Sequence, residues 1–368
     1  MSADGSGGIG AGGTSADARA AGTGTPAPSQ GAAVRRPTLA DVAERAGVSL
    51  KTASRVMNGE RYVAEQTRER VLGVADDLGF RLNPMASLLK RGVVPGVVAF
   101  VTGDLANPFY SVMAKGVEQE VRALGLQLTI ASSDEDPDAE VVLVDEFALR
   151  RVRGIILTST LTSHASLVDV QERGVPIVFV DRPPSGMDAD AFLLDNYGGT
   201  RAAVEHLLAA GHRRIAYVGD YARLHPQRER QRAFGDAMEA AGVADWRALV
   251  REGAHDAESA AAAVRELLVE DPDVTAVFAS NNRITTGVLH AMADLAPELA
   301  LVGFDDFDLA DLLGVTTVSY DPAEIGRQAA SALLAREGRR VEDPQTWVLP
   351  TRLVLRGSGE RPPRPRAS

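Results

Sequence analysis

The 368 residues include no cysteine, so disulfides and thiolate metal sites are unavailable, which suits a reducing cytoplasm. Histidine is nearly as scarce, with six scattered copies and no HExxH pair among them. Two of them, His206 and His212, flank a helix end and read as surface and turn residues. No Walker motif or nucleophile elbow occurs, and Asp305 with Asp306 would make a metal pair only with companion ligands that the sequence does not supply. Neither an enzyme, a metal site nor a cofactor is expected. No apolar run approaches the ~20 residues needed to span a bilayer. The start of the chain has no basic segment followed by an apolar run, so neither a secretory signal nor an exported binding protein is expected. The expectation is a cytoplasmic chain without a membrane partner.

What is present divides unevenly. With 45% hydrophobic residues, a chain of this length has enough apolar surface for more than one core. Residues 1–35 are rich in Gly, Ala, Ser and Pro and read as a flexible tail, because they offer little apolar surface to offset the entropy of ordering. The "GSGGIGAGG" within them has no strand before it and no helix after it, so it is not a dinucleotide loop. Residues 35–91 hold 11 Lys and Arg against 7 Asp and Glu, a balance of +4, inside a chain whose net charge is −11. The remainder therefore carries −15. A basic module joined to an acidic body suggests that one end meets a polyanion.

The basic module is helical by periodicity. Leu39, Val42, Ala43 and Ala46 follow the i, i+3, i+4, i+7 rule over residues 39–46, with Thr38 placed to cap and Asp41 three residues on. Gly47 stops that helix, and Ser49 caps a second over residues 50–57. A third, over residues 65–78, brings Val71, Leu72, Ala75 and Leu78 to a small core shared with Val48, Ala53, Val56 and Met57. Two helices joined by a short Gly-containing turn make a helix-turn-helix, although an ordinary alpha hairpin with a solvated face has the same periodicity. The outward set on the second helix is Leu50, Lys51, Thr52, Ser54 and Arg55. Lysine and arginine pair with guanine edges in a major groove, and leucine can touch a thymine methyl. Thr38, Ser49, Asn58 and Tyr62 suit phosphate oxygens.

"TLADVAERAGVSLKTASRVMNG", followed by "VAEQTRERVLGVADDLGFRLNPMASLLKRG", resembles the DNA-binding end of the LacI/GalR family of bacterial transcription regulators. The resemblance implies a helix-turn-helix domain over residues 36–82 and a hinge helix within 83–92. It further implies that Leu89, flanked by Ala86 and Lys90, wedges into the minor groove at the centre of a pseudo-palindromic operator.

Beyond residue 92 strands and helices alternate. Strand patterns fall at 96–102, 126–132, 154–159, 176–180, 214–219, 275–280 and 300–304, and helical patterns at 110–124, 139–150, 165–173, 198–210 and 227–241. Continuous apolar strands between amphipathic helices imply parallel sheets covered on both faces, and two such series imply two lobes with a site at the strand ends. The fold class is therefore α/β after a three-helix start. The resemblance makes residues 93–357 a two-lobed, type I periplasmic-binding-protein-like domain with three crossovers, followed by a flexible tail over 358–368.

In the cleft the resemblance assigns effector contacts to Phe109, Tyr110, Asp181, Arg230, Asn281, Asp305 and His255, the last where relatives carry an aromatic. Each has a plainer role: core packing for the two aromatics, a cap or an ion pair with Arg182 for Asp181, an exposed loop for His255. Asn282 in "NNRITTG" stands where an acid is usual, and Asn lacks the charge for that bond. The expected function is sequence-specific transcription regulation, chiefly repression, by a homodimer that a small-molecule effector controls, a sugar or related metabolite. A regulator with an idle cleft is the alternative. The C-terminal segment shows no heptads, so a dimer is expected rather than a tetramer.

Overall fold

The computed structural model describes residues 37–60, 63–81, 96–338 and 343–363. The chain divides into two units, Met1–Pro84 and Met85–Ser368.

In the first unit α1 is Leu39–Arg45, α2 is Leu50–Met57 and α3 is Glu65–Asp77. The N-cap of α1 is a reciprocal capping box: Asp41 N–H donates to the Thr38 hydroxyl at 3.4 Å, and Thr38 N–H donates to the Asp41 carboxylate at 2.7 Å. Gly47 has φ 63°, a left-handed turn that a side chain would strain. Val42, Ala43, Ala46, Ala53, Val56, Val71 and Ala75 form the core. Leu72, expected inside, is 43% exposed. At 100° per residue it lies off the stripe that Val71, Ala75 and Leu78 define.

The second unit holds two six-stranded sheets. Sheet order in lobe 1 is β11-β5-β4-β3-β1-β2 and in lobe 2 β12-β10-β9-β8-β6-β7, numbered along the chain. Lobe 1 contains β1 (Val97–Thr102), β2 (Gln127–Ser132), β3 (Ile155–Leu157), β4 (Ile177–Val180), β5 (Asp190–Leu194) and β11 (Thr346–Leu349), all parallel. Its helices are α4 (Pro108–Ala123), α5 (Pro137–Leu149), the short α6 (Val168–Glu172) and the returning α11 (Pro322–Ala335). Lobe 2 contains β6 (Ile215–Val218), β7 (Val250–Arg251), β8 (Ala276–Ala279), β9 (Ala300–Phe304), β10 (Thr316–Ser319) and β12 (Arg352–Val354). Its helices are α7 (Asn196–Ala209), α8 (His225–Ala240), α9 (Ala257–Glu270) and α10 (Asn282–Leu295). Each sheet has an apolar layer on both faces, which is why its central strands read as unbroken apolar runs. The chain changes lobe after β5, after β10 and between β11 and β12, three crossings in all. One strand departs from the parallel expectation: β12 pairs antiparallel with β10.

The tail expected from residue 358 does not begin there. Ser358 is 3% exposed, its hydroxyl donating to Leu301 O at 2.6 Å and accepting from Thr316 N–H at 2.8 Å. Arg361 donates to Pro297 O at 2.6 Å. This segment also corrects the reading of His212 as a turn residue: it is fully buried, with Nε2 at 2.8 Å from Arg361 O and Nδ1 at 2.8 Å from Thr275 Oγ1. His206 faces Glu360 at 2.9 Å. No helix among the described residues is long and apolar enough to cross a membrane.

Candidate functional site

Two surfaces gather the expected residues. On α2, Leu50, Lys51 and Arg55 are exposed, Thr52 and Ser54 half-buried, while Ala53 and Val56 face the core. The helix thus presents one polar edge with two cations. Arg55 Nε lies 3.5 Å from the Glu60 carboxylate, an exposed pair that a nucleic acid can displace at little cost. The small polar residues already hold helix ends. Ser49 accepts from Thr52 N–H at 3.1 Å, and Asn58 Nδ2 donates to Ser54 O at 2.7 Å. Thr38 donates its hydroxyl to Asp41 at 2.8 Å. Tyr62, Ala86, Leu89 and Lys90 lie outside the described residues, as does the expected hinge.

The second surface lies between the lobes of the second unit. Phe109, Tyr110, Asp181, Arg230, Asn281 and Asp305 all line one cavity of about 50 Å³. Strand and helix ends place them: Asp181 follows β4, Asp305 follows β9, Phe109 and Tyr110 open α4, and Asn281 caps α10. Asp181 and Asp305 have φ of 67° and 70°, left-handed backbone rarely taken by residues with side chains. The two lobes thus hold equivalent strained carboxylates facing one space, strain of the kind that concentrates at ligand sites.

Their environments differ. Asp305 accepts from Tyr320 O–H at 2.6 Å and from Asn282 N–H at 3.3 Å, with Arg230 Nη2 at 3.8 Å. Arg230 donates Nε–H to Asn196 Oδ1 at 2.8 Å, donates also to Ser280 O, and stacks over Phe304 at 3.7 Å. Among the described residues the ion-pair partner of Asp181 is Arg182, whose Nε lies 3.7 Å away. Burial pushes its carboxyl up to about 6, against the pull of Arg182 and Arg230. Arg182 itself is clamped by Glu135, with bonds of 2.8 and 2.6 Å. Gln227 accepts from Tyr217 O–H at 2.9 Å and from Asp220 N–H at 3.0 Å, leaving its buried Nε2 without an acceptor. A carboxylate short of donors beside an amide short of an acceptor suits a ligand bearing several hydroxyls.

His255 does not reach this lining. Its ring stacks on Tyr221 with centroids 4.7 Å apart, and its Nδ1 is 2.8 Å from Asp220 Oδ1. Sequence reasoning missed Asn107, Arg182, Asp220, Gln227, Ser280 and Tyr320, which also line the cavity. Arg182 was visible only as a partner of Asp181, and no motif singled out the rest.

Several bonds cross between the lobes. Asn282 Nδ2 donates to Asn107 Oδ1 at 3.1 Å, Arg283 pairs with Asp104, and His255 Nε2 lies 3.8 Å from Asp104 Oδ2. The bond to Asp220 holds the His255 pKa above the usual imidazole value; burial and Arg283 oppose it, and Glu135 adds a smaller pull in the same direction as Asp220. A raised pKa contributes stability that is complete below the unfolded value and is lost as pH rises through the folded one. His255→Gln is therefore expected to lower the unfolding temperature near pH 6, by the equivalent of about 1 kcal/mol or less for a half-buried pair. Near pH 8.5 the loss should be smaller. Thermal unfolding of both proteins at the two pH values checks this, and an equal loss at both would show that charge is not involved.

A sequence model described as bacterial regulatory proteins, lacI family, matches residues 38–83, and one described as a periplasmic binding protein-like domain matches residues 204–359. The HTH-type transcriptional regulator CelR of Thermobifida fusca is 34% identical over 337 residues, covering 88% of this chain and 99% of its own. Among solved structures, the transcriptional regulator CelR–cellobiose complex is similar at TM-score 0.65 and 31% identity, covering 88% of this chain and 100% of that one. The lac repressor dimer bound to operator and the anti-inducer ONPF is similar at TM-score 0.71 and 25% identity, over 88% and 99% of the two chains. Basic helix-turn-helix, paired parallel sheets and near full-length similarity agree: this chain belongs to the lacI family of bacterial regulatory proteins and is a DNA-binding transcription regulator.

Proposed function

We propose that the protein is a repressor whose hold on a pseudo-palindromic operator is set by a small polyhydroxylated molecule, a sugar or related metabolite, bound between the lobes of its second unit. The observation that carries this reading is the convergence of Asp181, Arg230, Asn281 and Asp305, from both lobes, on one cavity. A ligand bridging those groups has a different affinity for each relation of the lobes, and only such a difference can shift an equilibrium. By linkage, effector and operator must then change each other's affinity by the same factor. The similarity to a cellobiose complex and to an operator-bound dimer supports a sugar effector and a homodimer.

On the DNA side, Lys51 and Arg55 read guanines, Leu50 meets a thymine methyl, and Thr52 and Ser54 add polar contacts. Thr38, Ser49, Asn58 and Tyr62 hold phosphates, and Leu89, with Ala86 and Lys90, supplies the minor-groove wedge. Lys51→Ala or Arg55→Ala is expected to cost about 1–3 kcal/mol at one base position and to relax preference there. Competition binding with single-base operator variants measures this, and an unchanged preference in both variants would remove α2 from base reading. The effector half is tested by screening sugars for a rise in unfolding temperature and then for operator release. A stabilising sugar that leaves operator affinity untouched would contradict control by the cleft.

One buried cluster among the described residues has a catalytic look without the order of a catalytic relay. His164 Nε2 lies 2.8 Å from Ser159 Oγ, and Glu140 also contacts that hydroxyl. His164 Nδ1 lies 2.8 Å from Ser185 N and 3.1 Å from Ser185 O, so the backbone of Ser185, not a carboxylate, orients the ring. Ser159 donates its hydroxyl to Glu140, so the carboxylate takes the serine proton instead of orienting the histidine, unlike a serine–histidine–acid relay. The cluster anchors a loop.

A further inference from the structure

Beside the central cavity lies a second one of about 190 Å³, sharing Arg182 and Leu224 with it. Lobe 1 contributes Ser159, Thr160 and Thr162 at the end of β3, with His164 and Ser185; lobe 2 contributes Arg223, His225 and Arg228 at the start of α8. Three arginines, two histidines and four hydroxyl residues line this space, and among the described residues no carboxylate does. In a chain of net charge −11 that segregation demands a reason.

Two of the three arginines are not neutralised elsewhere, the third, Arg182, being held by Glu135. Among the described residues Arg223 and Arg228 form no ion pair: Arg223 donates to Glu135 O at 3.1 Å and stacks on Tyr221, and Arg228 donates to Arg223 O. Arg182 is 5% exposed, and its buried Nε has no hydrogen-bond acceptor. The first turn of the 16-residue α8 adds to this, because its N-cap, Leu224, has no side-chain acceptor for the leading amides. Guanidinium groups, hydroxyls and free helix amides share one preferred ligand, a tetrahedral oxyanion.

We propose that this second cavity binds a phosphoryl group, so that the effector is a sugar phosphate with its sugar in the central cavity and its phosphoryl group between Arg223 and Arg228. The proposal rests on the reading of the central cavity as the effector site. The shared residues Arg182 and Leu224 make the two cavities neighbours, which is the arrangement a single ligand with a sugar and a phosphoryl end requires. Free phosphate is the other source of the same group, and it would act alongside a neutral sugar.

The test is calorimetric titration of the full-length protein with pairs of sugars that differ only in a phosphoryl group, and with inorganic phosphate alone. At least one phosphorylated member should bind tenfold or more tighter than its parent. Arg223→Gln/Arg228→Gln should erase that ratio, and Arg228→Lys, which keeps the charge, should restore most of it to an otherwise Arg223-intact protein compared with Arg228→Gln. Inorganic phosphate binding lost in the double variant, with no gain for any sugar phosphate, supports the site and identifies free phosphate as its occupant. Parent sugars that bind as tightly as their phosphates, with no binding of inorganic phosphate, would overturn the proposal while leaving the effector cleft in place. Absence of binding by every compound, phosphate included, would overturn both.

Discussion

Replacing Asp181 with asparagine is expected to stabilise the ligand-free second unit while abolishing its response to effector. Asp181 is 5% exposed, and burial pushes its carboxyl pKa from 3.8 up to about 6 even with Arg182 and Arg230 nearby. The net environment therefore disfavours the charged form. Because the folded pKa is raised, the unfolded chain releases this proton at lower pH than the native one. Stability falls as pH rises from about 4 to about 6, and the full cost remains above that window. A shift of this size corresponds to about 2–3 kcal/mol. Asparagine has no charge to desolvate, and it tolerates the φ of 67° better than most residues. Asp181→Asn should accordingly raise the unfolding temperature by several degrees at pH 7.5, with the gain shrinking towards pH 4. Affinity for effector should fall at least tenfold, because an amide cannot replace a charge-assisted acceptor. A lower melting point at pH 7.5, or a gain indifferent to pH, would contradict this account of the carboxylate.

The second large effect is steric and lies where α4 meets α11. A Cβ on Gly116 would overlap the carbonyl oxygen of Ala323, and one on Gly326 would overlap that of Met113. The two glycines are reciprocal: each lets the other helix's backbone approach, and neither obstacle is a side chain that can swing aside. Gly116→Ala and Gly326→Ala are each expected to destabilise by about 3 kcal/mol, despite the roughly 1 kcal/mol that alanine gains from helix propensity. Gly73 on α3 provides the opposite case. It meets nothing within 4 Å, so Gly73→Ala should stabilise the first unit by about 0.5–1 kcal/mol. Denaturant unfolding of the three variants decides the matter. A mild or stabilising effect at Gly116 and Gly326 would mean that the helices separate more easily than their packing implies.

How much was legible in the sequence depended on whether the cause was local. The first unit was nearly transparent because caps, a left-handed glycine and 3.6-residue periodicity act within a few residues; α2 runs Leu50–Met57, the span its pattern predicts. Leu72 escaped because a neighbour at 100° looks like a core residue until the stripe is fixed by contacts. The central strands were readable as apolar runs, whereas β10 (TTVS) and β12 (RLV) carry too few apolar residues to read as runs, and β11 (TWVL) is an edge strand with exposed Trp347 and Val348. Strand-end polar residues such as Asp181 and Asp305 stand out against the apolar runs before them. Glu135, Asp220 and Gln227 do not, because their importance arises from residues 47, 61 and 10 positions away that only the fold brings near. His255 illustrates the converse: the sequence suggested a ligand-facing ring, whereas its bond to Asp220, a residue of the cavity lining, comes only with the fold.

The central claim is that this protein recognises a two-fold DNA sequence and that a small molecule between its lobes governs the recognition. Selection of bound duplexes from a randomised pool by the full-length protein, with and without the sugar or sugar phosphate that most raises its melting temperature, tests both parts at once. Enrichment of one pseudo-palindrome is expected, with binding that weakens steeply as salt is raised and changes when the small molecule is added. Recovery of unenriched sequence, or of a palindrome whose retention is the same with and without that molecule, would contradict it.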